Sequence, residues 1–160
     1  MNPIAWLIGL IFPACGFAAA DGLPTPPPTD PSQIVRPASP NTALAAPEGF
    51  RPPPDIVTPS YPLPADRLFA LVQAIATDQP RTYLAALYAD RLQADYVARS
   101  AVFNFPDLIV AQVTEATPDT SALILYSRSV YGHSDLGVNR KRVESWLGAL
   151  RAKLPPSSER

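Results

Sequence analysis

The chain has 160 residues, enough for one ordinary domain, and its 21 prolines against 7 glycines exclude a packed core over the whole length. Its 13 basic and 14 acidic residues give a formal net charge of -1, which offers no strong positive field for a nucleic-acid partner. A single cysteine, Cys15, excludes an internal disulfide, and with only one histidine we expect neither a metal site nor another cofactor.

Residues 3–20 (PIAWLIGLIFPACGFAAA) contain no charged residue, which predicts a signal peptide or a membrane anchor at residues 1–20. Three forms of this segment remain open. The A-x-A end at residues 18–20 suits cleavage before Asp21, Cys15 follows a weak lipoprotein-type cleavage box and is a candidate for lipidation, and the segment could stay uncleaved as an anchor. Each form puts the rest of the chain in the periplasm, or on a membrane and facing the periplasm.

Residues 21–60 are dominated by proline, with PTPPPTDP and RPPPD as the densest stretches. Because each proline removes an amide donor and fixes one backbone angle, this composition predicts an extended linker rather than a helix or a sheet. Only residues 55–58 suggest a short strand, which would lie at a sheet edge, where proline is tolerated. A spacer of this kind would hold the following domain away from a membrane.

The folded domain is predicted to span residues 61–155, with a disordered tail at residues 156–160. The first helix is predicted between Pro64 and Pro80 from apolar residues at helical spacing: Leu68, Leu71, Val72 and Ile75. The last helix, which should end before Pro155, is predicted from the same periodicity in Val143, Trp146, Leu147, Leu150 and Leu154.

Two hairpins are predicted between these helices from continuous or alternating apolar runs. The first joins residues 82–88 to residues 92–103, and the second joins residues 108–115 to residues 121–131 across a turn that contains proline. This order predicts an α+β domain in which an antiparallel sheet of four or five strands carries two helices packed on one face. The fifth strand would be the short edge strand suggested above.

The last strand and the last helix are joined by a polar loop that ends in Asn139, which we predict to be the N-cap. Three basic residues at positions 140–142 follow in the first helical turn, where the partial positive charge of the free amide groups disfavours cations. The positive charge of these residues could be compensated by Asp107 or Asp135, by an external anion, or by solvent alone. We favour an internal Asp–Arg pair, since structural ion pairs are common.

The stretches SRSVYGHSDLGVNRKRVE and RSAVFNFPDLIV resemble the bacterial domain of unknown function 1499 family, and the resemblance covers residues 61–150. Its combination of a serine–arginine strand end, an SDLGVNR loop and a basic helix start is specific. His133 stands at a place that is variable in the family. The family carries no established activity, so the resemblance implies a domain and not a function. Carried over residue by residue, its characteristic residues are Phe105, Asp107, Arg128, Ser129, Gly132, Ser134, Asp135, Gly137, Asn139, Arg140 and Arg142.

An enzyme is the less favoured class of function. Ser129, His133 and Asp135 have the residue types of a hydrolytic set, but neighbours within one loop seldom converge as nucleophile, base and acid. The chain also lacks a G-x-S-x-G elbow. An accessory subunit of a membrane protein complex, anchored by the apolar N-terminus, is a further alternative.

The favoured interpretation is a non-enzymatic binding module of the bacterial cell envelope. Phe103, Phe105 and Tyr131 stand at strand ends beside the basic loop, where aromatic rings and arginine together suit the anchoring of a protein segment. The binding face is predicted to span residues 103–107 and 128–142. Its site residues would be Phe105, Asp107, Arg128, Ser129, Gly132, Ser134, Asp135, Asn139, Arg140 and Arg142. Its partner would be an unknown envelope or membrane protein, or else an anionic or lipid-like ligand.

Overall fold

A computed structural model of the protein describes residues 3–23 and 30–154, so the tail predicted at residues 156–160 lies outside the described residues. Within these ranges the helices are α1 (Pro3–Gly9), α2 (Ala65–Asp78) and α3 (Val138–Lys153). The strands are β1 (Thr42–Pro47), β2 (Ile56–Thr58), β3 (Thr82–Tyr88), β4 (Gln93–Arg99), β5 (Pro106–Thr117) and β6 (Thr120–Ser129). Short 3-10 helices lie at Pro13–Gly16, Pro31–Gln33 and Ala89–Arg91. In this part of the chain no helix combines the length and the apolar character that crossing a membrane requires.

The strands form one sheet in the order β2-β1-β6-β5-β4-β3. β1 and β2 run parallel, whereas the other neighbouring pairs are antiparallel, including the two predicted hairpins β3–β4 and β5–β6. The predicted α+β class is therefore confirmed. The prediction of a purely antiparallel sheet with four or five strands is wrong in detail, because β1 adds a sixth strand and pairs with β2 in parallel.

β1 lies within the stretch that we predicted to be an extended linker, so the linker prediction is wrong for Thr42–Pro47. Its only proline, Pro47, is the last residue, which leaves the preceding amides free to pair with β6. The composition of the whole Pro-rich stretch concealed these six residues. The edge strand predicted at residues 55–58 is confirmed as β2, at one edge of the sheet.

Asp55 fixes the connection between β1 and β2. Its carboxylate accepts the Leu44 amide at 2.8 Å and lies 2.8 Å from the Arg36 guanidinium, while its own amide donates to the Leu44 carbonyl at 2.8 Å. Part of the Pro-rich stretch is thereby held against the outer face of the sheet. There it completes a second apolar cluster, formed by Ile34, Leu44, Ala46, Val110, Ile124 and Tyr126.

The main core lies on the opposite face of the sheet, between the strands and the two predicted helices α2 and α3. Trp146 of α3 packs edge-on against Tyr96 of β4, with ring centroids 5.6 Å apart and an interplanar angle of 76°. Burial of each such large side chain contributes roughly 1.5 to 3 kcal/mol. The helices supply Leu68, Phe69, Val72, Ile75, Val143, Trp146 and Leu150, and the strands supply Ala45, Tyr96, Ile109, Ala111, Val113, Leu123 and Leu125.

The place of β1 in the sheet is tested by Ala45→Asp. Ala45 is fully buried opposite Leu125, so an aspartate at this position would put an unpaired charge into the main core. We expect the free energy of unfolding to fall by at least about 3 kcal/mol in urea titrations followed by the fluorescence of the buried Trp146. Ala38→Asp, at an exposed site in the same Pro-rich stretch, is the control and should cost less than about 0.5 kcal/mol. Equal effects of the two substitutions would contradict the strand.

Candidate functional site

The helix that follows the polar loop after β6 is capped by an aspartate. α3 begins at Val138, after Gly137, whose backbone is left-handed with a φ of +79°. This turn brings the Asp135 carboxylate to the helix start, where one oxygen accepts the Gly137 amide at 2.9 Å and the other accepts the Asn139 amide at 2.7 Å. The prediction of Asn139 as N-cap is therefore wrong, since Asp135 supplies the acceptor. Its charge also offsets the cations of the first turn.

Asn139 instead joins α3 to the ends of two strands, and it has no exposed surface. Its side-chain oxygen accepts hydrogen bonds from the Ser127 hydroxyl at 2.5 Å and from Arg142 Nη1 at 2.8 Å. Its nitrogen donates to the Asn41 carbonyl, just before β1, at 3.0 Å and to the Ser129 hydroxyl at 2.9 Å. We use the name polar hub for the set Asn41, Asp107, Ser127, Ser129, Asp135, Asn139 and Arg142.

An ion pair between Asp107 and Arg142 completes the polar hub. Arg142 Nη2 lies 2.7 Å from Asp107 Oδ2, and only 16% and 10% of the two side chains are exposed. The predicted internal Asp–Arg pair is thus confirmed for these two residues. The neighbouring basic residues are arranged differently: Arg140 pairs with Glu144 at 3.0 Å on the surface, and Arg128 makes no ion pair within the described chain. The buried pair fastens the start of α3 to the start of β5.

Hydrogen bonding keeps Asp135 ionised. Burial raises the pKa of Asp135, but the hydrogen bonds from the backbone amides of Asn139 and Gly137 and from the Asn139 side chain favour the carboxylate more strongly. The net effect is a pKa below the ordinary value of 3.8. A group of this kind stabilises the folded state above its unfolded pKa, and that contribution is lost as the pH falls through the lowered folded pKa.

The signature loop, which we define as residues 132–138, protrudes from the polar hub. Leu136 is 89% exposed and has a left-handed backbone with a φ of +54°, a conformation that costs a non-glycine residue about 1 to 2 kcal/mol. The Ser134 hydroxyl accepts the Leu136 amide at 3.3 Å, and the Gly132 carbonyl accepts the Asn41 side-chain amide at 2.7 Å. The loop therefore holds a large apolar side chain in solvent in a strained conformation.

The hydrolytic arrangement considered above is not assembled. The Ser129 hydroxyl accepts a hydrogen bond from Asn139, and both Asp135 oxygens accept backbone amides. His133 is exposed, and no hydrogen bond in the described part of the chain joins it to Ser129 or to Asp135. These contacts describe a rigid loop rather than a charge-relay geometry.

A groove of about 620 Å³ lies beside the polar hub on the outer face of the sheet. Part of the Pro-rich stretch, from Gln33 to Ser39, forms one wall, and Tyr126, Arg128 and Ser129 at the end of β6 form the other. Arg128 is exposed, which makes its guanidinium accessible to a ligand in the groove.

The structure thus brings some of the predicted binding residues together and separates others. Asp107, Ser129, Asp135, Asn139 and Arg142 meet in the polar hub, whereas Arg128, Gly132 and Ser134 are at the groove or in the signature loop. Arg140 lies apart from the hub with Glu144, and Phe105 belongs to an aromatic cluster.

That aromatic cluster joins the predicted aromatic surface to the N-terminal segment, residues 3–23. Phe12 packs against Phe105 and Tyr131, with ring centroids 5.5 and 5.0 Å apart, and Phe103 packs against Phe105 at 5.8 Å. A side chain of the same chain therefore already covers part of this surface.

Arg99 binds the N-terminal segment through main-chain carbonyl groups. It lies at the end of β4, is 4% exposed, and donates to the carbonyls of Ala14, Ala19 and Asp21 at 2.7, 2.6 and 2.8 Å. No carboxylate lies within ion-pair distance of it in the described chain. The carbonyl oxygens thus take the place of a counter-ion for this buried guanidinium.

Asn104 holds the same segment from the following loop. Its side-chain nitrogen donates to the carbonyls of Cys15 and Phe17 at 2.7 and 2.8 Å. We use the name carbonyl clamp for Arg99 and Asn104 together. Cys15, the predicted lipidation candidate, has no exposed surface in this arrangement. Burial raises the pKa of its thiol, and the nearby Arg99 charge lowers it by less.

Sequence reasoning missed Asn41, Ser127 and Arg99. Asn41 lies in the stretch predicted as linker, and Ser127 and Arg99 lie in strands, where a polar residue is expected to face solvent. The fully buried Gln93 and the buried Asp95 in β4 show that this strand is covered on both faces. Burial on both faces comes from the fold, and the alternation of apolar and polar residues in β4 carries no signal of it.

A family model described as Protein of unknown function (DUF1499) matches residues 25–150. The chain belongs to the DUF1499 family. The matched range begins before β1, so the DUF1499 domain starts earlier than the range of residues 61–150 that the sequence resemblance indicated. It contains the polar hub, the signature loop and the carbonyl clamp, whereas the residues that the clamp binds precede it. No curated protein matches the chain.

The capping role of Asp135 in this DUF1499 domain is tested by Asp135→Ala at two pH values. At about pH 7 the substitution should lower the free energy of unfolding by about 1 to 2 kcal/mol, because the helix start loses an ionised cap. The loss measured by urea titration should be smaller at about pH 3, which lies below the ordinary carboxyl pKa of 3.8, because the contribution of the ionised group is lost as the pH falls through its lowered folded pKa. Glu115→Ala, which removes an exposed carboxylate, is the control. A difference independent of pH would contradict the role of the ionised form.

Proposed function

We propose that this DUF1499 domain is a non-enzymatic binding module of the bacterial cell envelope, and that it recognises a segment of an envelope or membrane protein. The proposed binding face consists of the signature loop and the adjacent groove. The observation that carries the proposal is Leu136, which is exposed and has a left-handed backbone conformation, in a loop that the polar hub holds in place. A strained conformation persists only where the surroundings enforce it, and such positions concentrate at functional sites.

The fixed loop favours binding because little conformational freedom remains to be lost. Asp135 and Ser134 hold the loop from within, and the side chain of Asn41, the residue before β1, holds it through the Gly132 carbonyl. An exposed leucine on such a support can enter an apolar pocket of a partner with a small entropic cost of ordering. The same residue on a loose loop would bind less tightly.

The groove suggests the chemistry of the bound segment. Arg128 on its wall is exposed and without an ion pair among the described residues, so it suits an acidic side chain or a carboxyl terminus of the partner. Tyr126 and Ile34 give the groove an apolar floor and edge. We therefore infer a ligand segment that combines an apolar residue, placed against Leu136, with an anionic group placed against Arg128. An anionic or lipid-like molecule with the same two features is the related alternative.

Export or membrane tethering is part of the proposal and rests on the uncharged N-terminal segment. The cleaved, lipidated and retained forms differ in the mass of the mature protein. A chain that begins at Asp21 corresponds to cleavage, a diacylglyceryl group on Cys15 corresponds to lipidation, and a chain that keeps Met1 corresponds to an anchor. A retained anchor would also suit an accessory subunit of a membrane protein complex.

The binding face is tested by the double variant Leu136→Asp, Arg128→Glu. A photo-crosslinking amino acid at position 136 of the full chain should capture a partner from detergent-solubilised envelope, and titration of that purified partner should show at least tenfold weaker binding to the double variant. The expected loss reflects one buried anchor and one reversed charge.

The matched control is Leu84→Asp, Arg67→Glu, which makes the same chemical changes at an exposed leucine and an exposed arginine outside the proposed face. The control should bind with the parent affinity. If both double variants bind as the parent does, the partner does not use the signature loop and the groove.

A further inference from the structure

The N-terminal segment presents a row of large apolar side chains to solvent. The exposed fractions run from 47% for Ile4 to 76% for Ile11, and no charged residue interrupts the row. Apolar side chains crowded at one place on a folded surface mark a contact with a partner or a membrane. We use the name apolar patch for Ile4, Trp6, Leu7, Leu10 and Ile11.

Many backbone groups of the same segment are hydrogen-bonded within the protein. α1 makes its own helical hydrogen bonds, and the amides of Leu10, Ile11 and Phe12 donate to carbonyls one turn earlier in the segment. Further along, Arg99 and Asn104 of the carbonyl clamp donate hydrogen bonds to main-chain carbonyls of the segment. Satisfied backbone groups are what contact with lipid requires, because an unpaired group costs several kcal/mol in hydrocarbon.

The N-terminal segment also has regular secondary structure and packs against the domain, unlike a flexible tether. α1 has seven residues and is followed by the 3-10 helix Pro13–Gly16, and Phe12 packs against the rings of both Phe105 and Tyr131. Together with the clamp, these contacts join the segment to the DUF1499 domain as one body.

We propose that the N-terminal segment is an interfacial membrane-binding element. The apolar patch enters the surface layer of a lipid bilayer, and the carbonyl clamp fixes the domain behind it in one orientation. Trp6 suits the interface, where an amphipathic ring has one end in an apolar layer and the other near water. Because the patch carries no charge, a bilayer of zwitterionic lipid suffices and binding does not depend on salt. This inference rests on the membrane attachment in the proposed function and specifies its geometry.

The first experiment measures flotation of the full chain with phosphatidylcholine vesicles. The parent should float with the vesicles at low and at high salt, and the double variant Leu7→Asp, Ile11→Asp should partition at least tenfold less. Val35→Asp, at another highly exposed apolar residue, is the matched control and should float as the parent does. A parent that stays with the soluble fraction, or a patch variant that floats equally well, would overturn the proposal.

The depth of insertion is measured by fluorescence quenching with brominated lipids. Trp6 is exposed and Trp146 is buried in the core, so Trp146 supplies an unquenched reference within the same molecule. Bromine near the headgroups should quench more strongly than bromine near the chain ends. Stronger quenching from the chain ends would show a deeply inserted segment and would overturn the interfacial arrangement.

The clamp is tested separately through Cys15, the sole cysteine. In lipid-free protein, a maleimide should label the parent slowly, and Arg99→Gln or Asn104→Ala should raise the labelling rate at least tenfold. Arg67→Gln, which removes an exposed arginine on α2, is the control, and circular dichroism reports whether each variant folds. Unchanged protection in both clamp variants would overturn the role of the clamp.

Two further measurements separate this inference from the proposed function. Leu136→Asp should leave vesicle binding unchanged, and the patch variant should leave partner binding by the signature loop unchanged. Loss of vesicle binding in Leu136→Asp would overturn the assignment of the lipid contact to the apolar patch. A second copy of the chain as occupant would appear as a dimer in lipid-free sedimentation that Leu7→Asp, Ile11→Asp disrupts, and would overturn the lipid assignment as well.

Discussion

The buried ion pair between Asp107 and Arg142 is the constraint on which the candidate site depends. Only 16% of the Arg142 side chain and 10% of the Asp107 side chain are exposed, so loss of either residue leaves a largely buried charge without its partner. The pair therefore fixes the first turn of α3 against the start of β5. Asn139 lies beside the pair and extends the same restraint to the end of β6 and to the residue before β1. Helix start and strand ends form one rigid corner.

The polar hub and the carbonyl clamp each hold a segment whose apolar side chains are exposed to solvent, but they neutralise their arginine in different ways. In the polar hub a guanidinium is neutralised by a carboxylate, and the fixed signature loop exposes Leu136. In the carbonyl clamp the guanidinium of Arg99 is surrounded by main-chain carbonyls, and the fixed N-terminal segment exposes the apolar patch. In the polar hub and in the carbonyl clamp, buried polar groups form hydrogen bonds within the protein. The exposed apolar side chains are therefore what a partner would contact. In the two proposals made above, a protein segment and a lipid surface are therefore recognised by separate faces.

Sequence periodicity was sufficient for α2, α3 and the two hairpins, because their apolar residues recur at spacings that only one kind of element can bury. It also led to the Asp–Arg pair, through the electrostatic cost of cations in a first helical turn. It did not predict α1, the third helix, which lies in the uncharged N-terminal segment. It could not find β1, since six mostly small residues in a Pro-rich stretch have no distinctive pattern of their own. Asn139 was misplaced for a different reason. A cap is recognised by local residue type, whereas the bonds that Asn139 makes come from strands distant in the chain. Arg99 was missed because its partners are backbone atoms, which leave no trace in the sequence.

The most direct test of this account is a double-mutant cycle on the ion pair, with Asp107→Asn, Arg142→Gln and the double variant compared by urea unfolding. Each single substitution leaves a buried polar group without its partner, whereas the double substitution removes both charges at once. We expect the effects on the free energy of unfolding to be non-additive by more than about 1.5 kcal/mol, with the double variant more stable than the sum of the singles implies. Additive effects within about 0.5 kcal/mol would show that the two side chains do not depend on each other, and would contradict the account.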